Sequence, residues 1–174
     1  MARLVCKQIE SPIGPLVLAA SEQGMASMEF GTMVDVENAM ATWAAKRGYG
    51  SLQVGESDLL EEAAGQLADY FCGQLRQFRL PLDLRGTPFQ KKVWEALTSI
   101  PFGQTLSYKQ VAERIGSSGA VRAVGGANNR NPLPVIVPCH RVIGSDGQLV
   151  GYGGGLWIKQ FLLQLEGVQV AVSV

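Results

Sequence analysis

The chain has very few of the residues from which metal sites and disulfide frameworks are built. Among 174 residues there are one histidine, His140, and three scattered cysteines, Cys6, Cys72 and Cys139. A zinc site gathers several Cys or His ligands, and a disulfide framework needs paired cysteines. We therefore expect no metal, no cofactor and three reduced thiols, which is typical of a cytoplasmic protein.

Long apolar runs and an overall charge excess are also missing. The run at 132–139 is far shorter than the roughly 20 residues that cross a bilayer, and residues 1–7 lack the apolar stretch of a signal peptide. We therefore expect no membrane contact. The 15 basic and 15 acidic residues balance, so net charge alone does not indicate a nucleic-acid partner.

The charges are nevertheless unevenly distributed. Residues 1–86 contain seven Lys/Arg and eleven Asp/Glu, whereas residues 87–174 contain eight and four, giving net charges of −4 and +4. A basic face is expected for phosphate contact, although a solvated surface has the same composition. With Arg85-Gly86 as a boundary, we predict an N-terminal domain at 1–86 and a C-terminal domain at 87–174.

The N-terminal half predicts a mixed α/β unit without a cluster of functional residues. Turn signals divide residues 3–30 into a three-stranded meander. Helical spacing follows at 34–47, with Val34 on the apolar face, and a capping box at 58–61 opens a helix that ends near Cys72. Alternation at 78–84 predicts another strand. We interpret Cys6 and Cys72 as core or strand residues.

The C-terminal half predicts a helix-turn-helix. Thr87–Gln90 and Ser107–Gln110 are both capping boxes, and the second opens a short helix that precedes a turn and a further helix at 120–128. That last helix is mostly Ala and Gly with one long side chain, Arg122. Such a surface fits a DNA minor groove or an ordinary helix–helix contact.

A proline-bracketed Cys139-His140 pair follows an apolar, strand-like run at 134–138. Histidine exchanges a proton near neutral pH, and a neighbouring base increases the population of a nucleophilic thiolate. The flanking prolines favour extended backbone. A reactive cysteine is one interpretation, and a small buried hydrophobe beside a chance histidine is the other.

The segment after the pair predicts a hairpin, a glycine-rich loop and a last helix. The hairpin spans 142–150 with an Asp-Gly turn. The glycines of 151–155 lack a phosphate-loop context, so we favour a pocket wall. The helix at 156–165 has Leu156, Phe161, Leu162 and Leu165 as predicted core residues. Glu166 is unfavourable near a helix C-terminus and is therefore solvated or held by a partner, for which His140 is the candidate.

Together these residues give residues 87–167 a resemblance to the O6-alkylguanine-DNA alkyltransferases. The matching segments are Pro88-Phe89 through Trp94, Ser107-Tyr108, 120–125, Asn131-Pro132, 136–142 with Pro138-Cys139-His140-Arg141, 151–156 and 162–167. Residues 1–86 fit the variable N-terminal domain of that family. The resemblance implies an α+β fold: a small ribonuclease-H-like β-sheet with helices, then a helical domain with a helix-turn-helix and an active-site cysteine loop.

The resemblance also implies a function and catalytic residues. Direct repair of O6-alkylguanine in double-stranded DNA would transfer the alkyl group once, irreversibly, to Cys139 of a monomeric protein. A water would connect Cys139 to His140, and Glu166 would orient the imidazole in the manner of a triad. Asn131 would hold the turn before the cysteine, and Tyr108 would donate to the departing base and help to rotate its phosphate.

Further residues are implied in DNA and base contacts. Arg122 would fill the stack vacated by the flipped nucleotide, and Gly125 would allow close approach. Lys109, Ser117 and Ser145 would contact the DNA backbone. Backbone groups of Cys139, Val142 and Gly153, beside Tyr152, would recognise the base.

Substrate range is not fixed by the resemblance. Many bacterial relatives have Asn-Gly where this chain has Asn128-Asn129. Gly153 predicts tolerance of adducts larger than methyl. Two alternatives to alkyl transfer remain at this point: a DNA-damage sensor with an inert Cys139, and a Cys-His hydrolase or acyltransferase.

Overall fold

The structure, a computed structural model, describes residues 2–170 and divides the chain into two compact units, Met1–Arg85 and Gly86–Val174. The first unit has a four-stranded sheet with two helices, and the second is mostly helical. The predicted α+β class is confirmed. No helix among the described residues is long and apolar enough to cross a membrane.

The first unit is built on strands β1 (Ala2–Ile9), β2 (Leu16–Ala20), β3 (Met25–Phe30) and β4 (Tyr49–Val54), in the order β3-β2-β1-β4. The predicted meander pairs antiparallel, and β4 pairs parallel to β1. Every residue of β2 is buried. Helix α1 (Met33–Lys46) covers a cluster that contains Cys6 and Met40, so the core interpretation of Cys6 is confirmed.

Three predictions for this unit need correction. Residues 78–84 form no strand, because only Leu82 makes a bridge, to Met25. Strand β4 was missed because four of its six residues are exposed and give no apolar alternation. Helix α2 (Asp58–Phe71) is capped by Ser57, whose hydroxyl accepts from Leu60 N–H at 3.1 Å, so the predicted capping box began one residue late. Val34 is 83% exposed and does not belong to the apolar face of α1.

The second unit begins with α3 (Pro88–Thr98), followed by β5 (Leu106–Ser107), α4 (Tyr108–Arg114) and α5 (Val121–Asn129). Both predicted capping boxes are present. The indole of Trp94, fully buried, donates to Ala127 O at 2.9 Å and joins α3 to α5. The chain then continues through a 3₁₀ turn (Cys139–Arg141), β6 (Val142–Ile143) and α6 (Leu156–Leu165).

The segment on either side of the 3₁₀ turn departs from the predicted strands. Residues 132–138 are buried but irregular, with one bridge between Pro134 and Val137 and Val135 at φ +73°, because the prolines interrupt a ladder. No hairpin forms at 142–150, since β6 pairs in parallel with β5. The predicted turn is nevertheless present, with Gly147 N–H donating to Gly144 O.

The buried face of α6 also differs from the prediction. Leu156 is 44% exposed, whereas Ile158, Lys159, Leu162 and Leu163 are buried.

Candidate active site

Cys139 opens the 3₁₀ turn, and its side chain is buried at 5% exposure. Burial raises the pKa of the thiol, while hydrogen bonds from Asn131 and Tyr152 and the positive charge of Lys159 oppose that effect. A buried thiol of this kind needs a base to accept its proton before it becomes a strong nucleophile.

The imidazole of His140 lies against the carboxylate of Glu166, as the sequence predicts. His140 Nε2 is 2.6 Å from Glu166 Oε2, and both side chains are inaccessible to solvent. Because a carboxylate only accepts, we assign the Nε2–H tautomer, which leaves Nδ1 as the basic atom. Within residues 2–170, Nδ1 is buried without a hydrogen-bond partner. Burial lowers the pKa of His140, and the contact with Glu166 opposes that shift.

Arg141 is a second partner of Glu166 that the sequence reasoning missed. Its Nε lies 2.7 Å from Oε1 and its Nη2 lies 3.0 Å from Oε2, while Nη1 donates to Ile100 O at 2.7 Å. Gly103 N–H also donates to Oε1. These donors offset the unfavourable position of a carboxylate at a helix C-terminus. The available signal was the place of Arg141 immediately after the Cys-His pair.

Asn131 fixes the turn that leads from α5 to Cys139. Its Nδ2 donates to Val137 O at 2.8 Å, and its Oδ1 accepts from Leu133 N–H at 3.0 Å. The side chain also hydrogen-bonds to Cys139. Asn131 therefore holds both the backbone of the irregular segment and the thiol.

Lys159 is the other residue that the sequence reasoning missed. Its side chain is fully buried, and Nζ donates to Val150 O at 3.0 Å and to Gly151 O at 3.4 Å. Burial lowers its pKa from 10.5 to about 8, and nearby Cys139 opposes that shift. A lysine in the apolar pattern of the last helix was the signal that could have revealed it.

Tyr108 joins the N-terminus of α4 to the same loop. Its hydroxyl donates to Val150 O at 3.2 Å, so this carbonyl accepts from both Tyr108 and Lys159. The Tyr108 ring lies 6.0 Å from Lys159 Nζ. Burial raises the pKa of Tyr108, which keeps its phenol protonated and able to donate.

The residues expected to contact DNA lie on the surface or near it. Arg122 is exposed on α5, and a Cβ at Gly125 would lie 4.0 Å from the Tyr108 ring. Lys109 and Ser145 are exposed and Ser117 is half-buried. In the described part of the chain, none of these three side chains has a hydrogen bond to the cluster around Cys139.

The expected base-contacting residues surround the cysteine differently. Val142 is buried and paired with Leu106, whereas Tyr152 reaches the thiol. A Cβ at Gly153 would have no heavy atom within 4 Å. Over residues 2–170, no group of three His, Cys, Asp or Glu side chains is arranged to hold a metal ion.

Models of two protein families match the two halves of the chain. The ribonuclease-like domain of 6-O-methylguanine DNA methyltransferase matches residues 4–84, and the DNA binding domain of 6-O-methylguanine DNA methyltransferase matches residues 88–168.

Curated relatives are similar over nearly the whole chain. The methylated-DNA–protein-cysteine methyltransferase of Mycobacterium leprae is 47% identical over 171 residues, covering 97% of this chain and 96% of that protein. The protein of the same name from Methanosarcina barkeri is 49% identical over 158 residues, covering 91% and 94%.

Solved structures show the same similarity. The crystal structure of Mycobacterium tuberculosis OGT in complex with DNA is 43% identical, with a TM-score of 0.78 and coverage of 94% of this chain and 92% of that one. The O6-methylguanine-DNA methyltransferase of Pyrococcus kodakaraensis is 34% identical, with a TM-score of 0.67 and coverage of 95% and 99%.

Proposed function

This chain belongs to the 6-O-methylguanine DNA methyltransferase family, and from that premise we propose that Cys139 is the residue that accepts the alkyl group. The protein repairs alkylated DNA directly, as a methylated-DNA–protein-cysteine methyltransferase. The observation that supports Cys139 is its position beside the buried His140–Glu166 pair. Cys6 instead donates to Gln53 O in the sheet, and Cys72 is exposed at the end of α2.

The transfer exchanges one carbon–oxygen bond for one carbon–sulfur bond. The thiol proton of Cys139 passes to Nδ1 of His140, with a water as the carrier between adjacent residues. The sulfur attacks the alkyl carbon on guanine O6, and the guanine leaves with its ring protonated. Glu166 stabilises the imidazolium, and Arg141 keeps Glu166 ionised. A thioether is not hydrolysed, so each molecule acts once.

Tyr108, Arg122 and Asn131 support this step. Tyr108 leaves the carbonyl of Val150 and donates to the departing base, and Asn131 holds the thiol in line. Because the alkyl group is inaccessible within a duplex, the nucleotide is flipped out, which costs a few kcal/mol. Arg122 fills the gap from the minor groove, where the small residues of α5 permit close approach.

The remaining contacts complete the proposed DNA complex. Lys109, Ser117 and Ser145 bind the phosphate backbone, and Gly125 lets α5 approach it. Val142, Tyr152 and Gly153 surround the flipped base, and the absence of a side chain at Gly153 admits adducts larger than methyl. Reaction with O6-methylguanine and none with any larger adduct would refute this last point.

The organisation of the whole protein follows from the same proposal. Residues 1–86 form a supporting domain, and residues 87–174 carry DNA binding and transfer as a monomer. Because Cys139 reacts only when reduced, we place the protein in the cytoplasm.

Intact-protein mass spectrometry after incubation with duplex DNA containing O6-methylguanine tests the proposal. We expect one methylation per chain, located at Cys139, that Cys139→Ser abolishes and the matched Cys72→Ser control retains. Binding without modification would favour a damage sensor, and repeated turnover would favour a hydrolase or acyltransferase. Either result would overturn the proposal.

A further inference from the structure

An exposed tryptophan stands at the start of α6, next to the glycine-rich loop. Trp157 is 58% exposed, with Leu156 at 44% beside it and Val150 at 51% at the other end of the loop. Tryptophan is highly buried on average. These three side chains therefore form an apolar patch that no role in the proposed transfer explains.

A short series of contacts connects this patch to the reactive sulfur. The Tyr152 side chain hydrogen-bonds to Cys139, and the carbonyl of Tyr152 accepts from Gly155 N–H at 2.9 Å. A Cβ at Gly155 would lie 3.4 Å from Trp157 Cδ1 and 3.6 Å from its Nε1. Helical side chains lean toward the N-terminus of their helix. The indole therefore lies back over the loop that borders Cys139.

The loop itself offers little for a substituent to contact. Residues 153–155 are glycines, and a Cβ at Gly153 would have no heavy atom within 4 Å. The first side chains after Tyr152 along the chain are Leu156 and Trp157. A group that extends from the transferred carbon across the glycines thus meets an indole and a leucine, whereas a methyl group is too short to do so.

On the basis of the proposed alkyl transfer, we propose that Trp157 determines specificity for O6 substituents that carry an aromatic ring. The indole and Leu156 form an apolar platform on which the ring packs while its benzylic carbon is held at Cys139. Aromatic rings prefer offset or edge-to-face contact with each other, and such pairs contribute beyond the area they bury. Reaction with methyl adducts does not depend on this platform.

Single-turnover kinetics of Trp157→Ala and Trp157→Phe test the proposal on three substrates: duplex O6-methylguanine, duplex O6-benzylguanine and the free base O6-benzylguanine. For Trp157→Ala we expect benzyl transfer to slow by about tenfold on both benzyl substrates, mainly through weaker substrate binding. Methyl transfer should stay within about twofold, and Trp157→Phe should retain most of the benzyl reactivity.

The three substrates separate the outcomes. If the unmodified protein transfers no methyl group, the proposed function itself fails. If methyl transfer is intact but benzyl transfer does not respond to Trp157→Ala, the specificity role is refuted. An equal loss on methyl and benzyl substrates, or a loss confined to duplex DNA, would assign Trp157 to the loop or to DNA contact and would also overturn the proposal.

Discussion

Replacing Lys159 with methionine should make the second unit more stable and the reaction slower. The ammonium is fully buried, and its pKa is lowered from 10.5 to about 8. A folded-state pKa below the unfolded value means that the unfolded chain binds the proton more tightly. Lys159 therefore reduces the free energy of unfolding below pH 8, and this penalty disappears as the pH rises toward 10.5.

The size of the penalty follows from the shift. At about 1.4 kcal/mol per unit of pKa, it amounts to about 3 kcal/mol at pH 7 and about 1 kcal/mol at pH 10. Methionine has a similar length and no charge, so Lys159→Met should recover most of it at pH 7. The same change removes a positive charge near Cys139, and a charge at such range shifts a pKa by at least about one unit. Methyl transfer should therefore slow by about tenfold.

Urea unfolding followed by hydrogen–deuterium exchange of peptides from 87–170, at pH 7 and pH 10, measures the stability difference for the second unit. Lys92→Met is the matched control, because Lys92 is exposed on α3 and should change neither quantity. A Lys159→Met protein that is less stable than the original at pH 7, or a gap that does not narrow at pH 10, would show that the electrostatic reasoning is wrong.

Three further predictions concern residues with defined partners. His140→Ala should slow methyl transfer by at least about 100-fold, as expected for the loss of a general base; a rate within tenfold in a single-turnover assay would exclude that role. Asn131→Ala should lower the thermal stability and also slow transfer, because Asn131 bonds both Val137 O and the thiol; unchanged alkylation by iodoacetamide would contradict this. Asp83 accepts from Ser21 and Tyr49, and although burial raises its pKa, these bonds and Arg85 lower it overall. Its stabilising contribution is therefore present above pH 4 and lost below it, so Asp83→Asn should be less stable in urea unfolding at pH 7, and a gap that persists at pH 2 would refute the assignment.

The sequence predicted those elements whose signals are local. The two capping boxes at Thr87 and Ser107 depend on residues three apart, and both are present in the structure. Strand β4 was missed because it is held by pairing with β1, which is distant in the chain, and its side chains are mostly exposed. The strand expected before Cys139 failed because apolar content indicates burial and does not guarantee a ladder.

The candidate site was predictable in its residue types more than in its connections. The contact between His140 and Glu166 could be predicted, because an acid at a helix C-terminus needs a partner. The second partner, Arg141, and the buried Lys159 could not be placed from sequence, since long cationic side chains are usually exposed. Their positions depend on the carbonyls of Ile100 and Val150, which only the folded chain brings near.

The low accessibility of the sulfur also protects a protein that can work only once. Peroxide and disulfide reagents attack cysteines that are both exposed and ionised. Cys139 is only 5% exposed, and burial raises the pKa of its thiol, so adventitious oxidants meet a shielded, protonated sulfur. Each molecule is thereby kept intact until a lesion arrives, whereas the exposed Cys72 is free to be oxidised at no cost to repair.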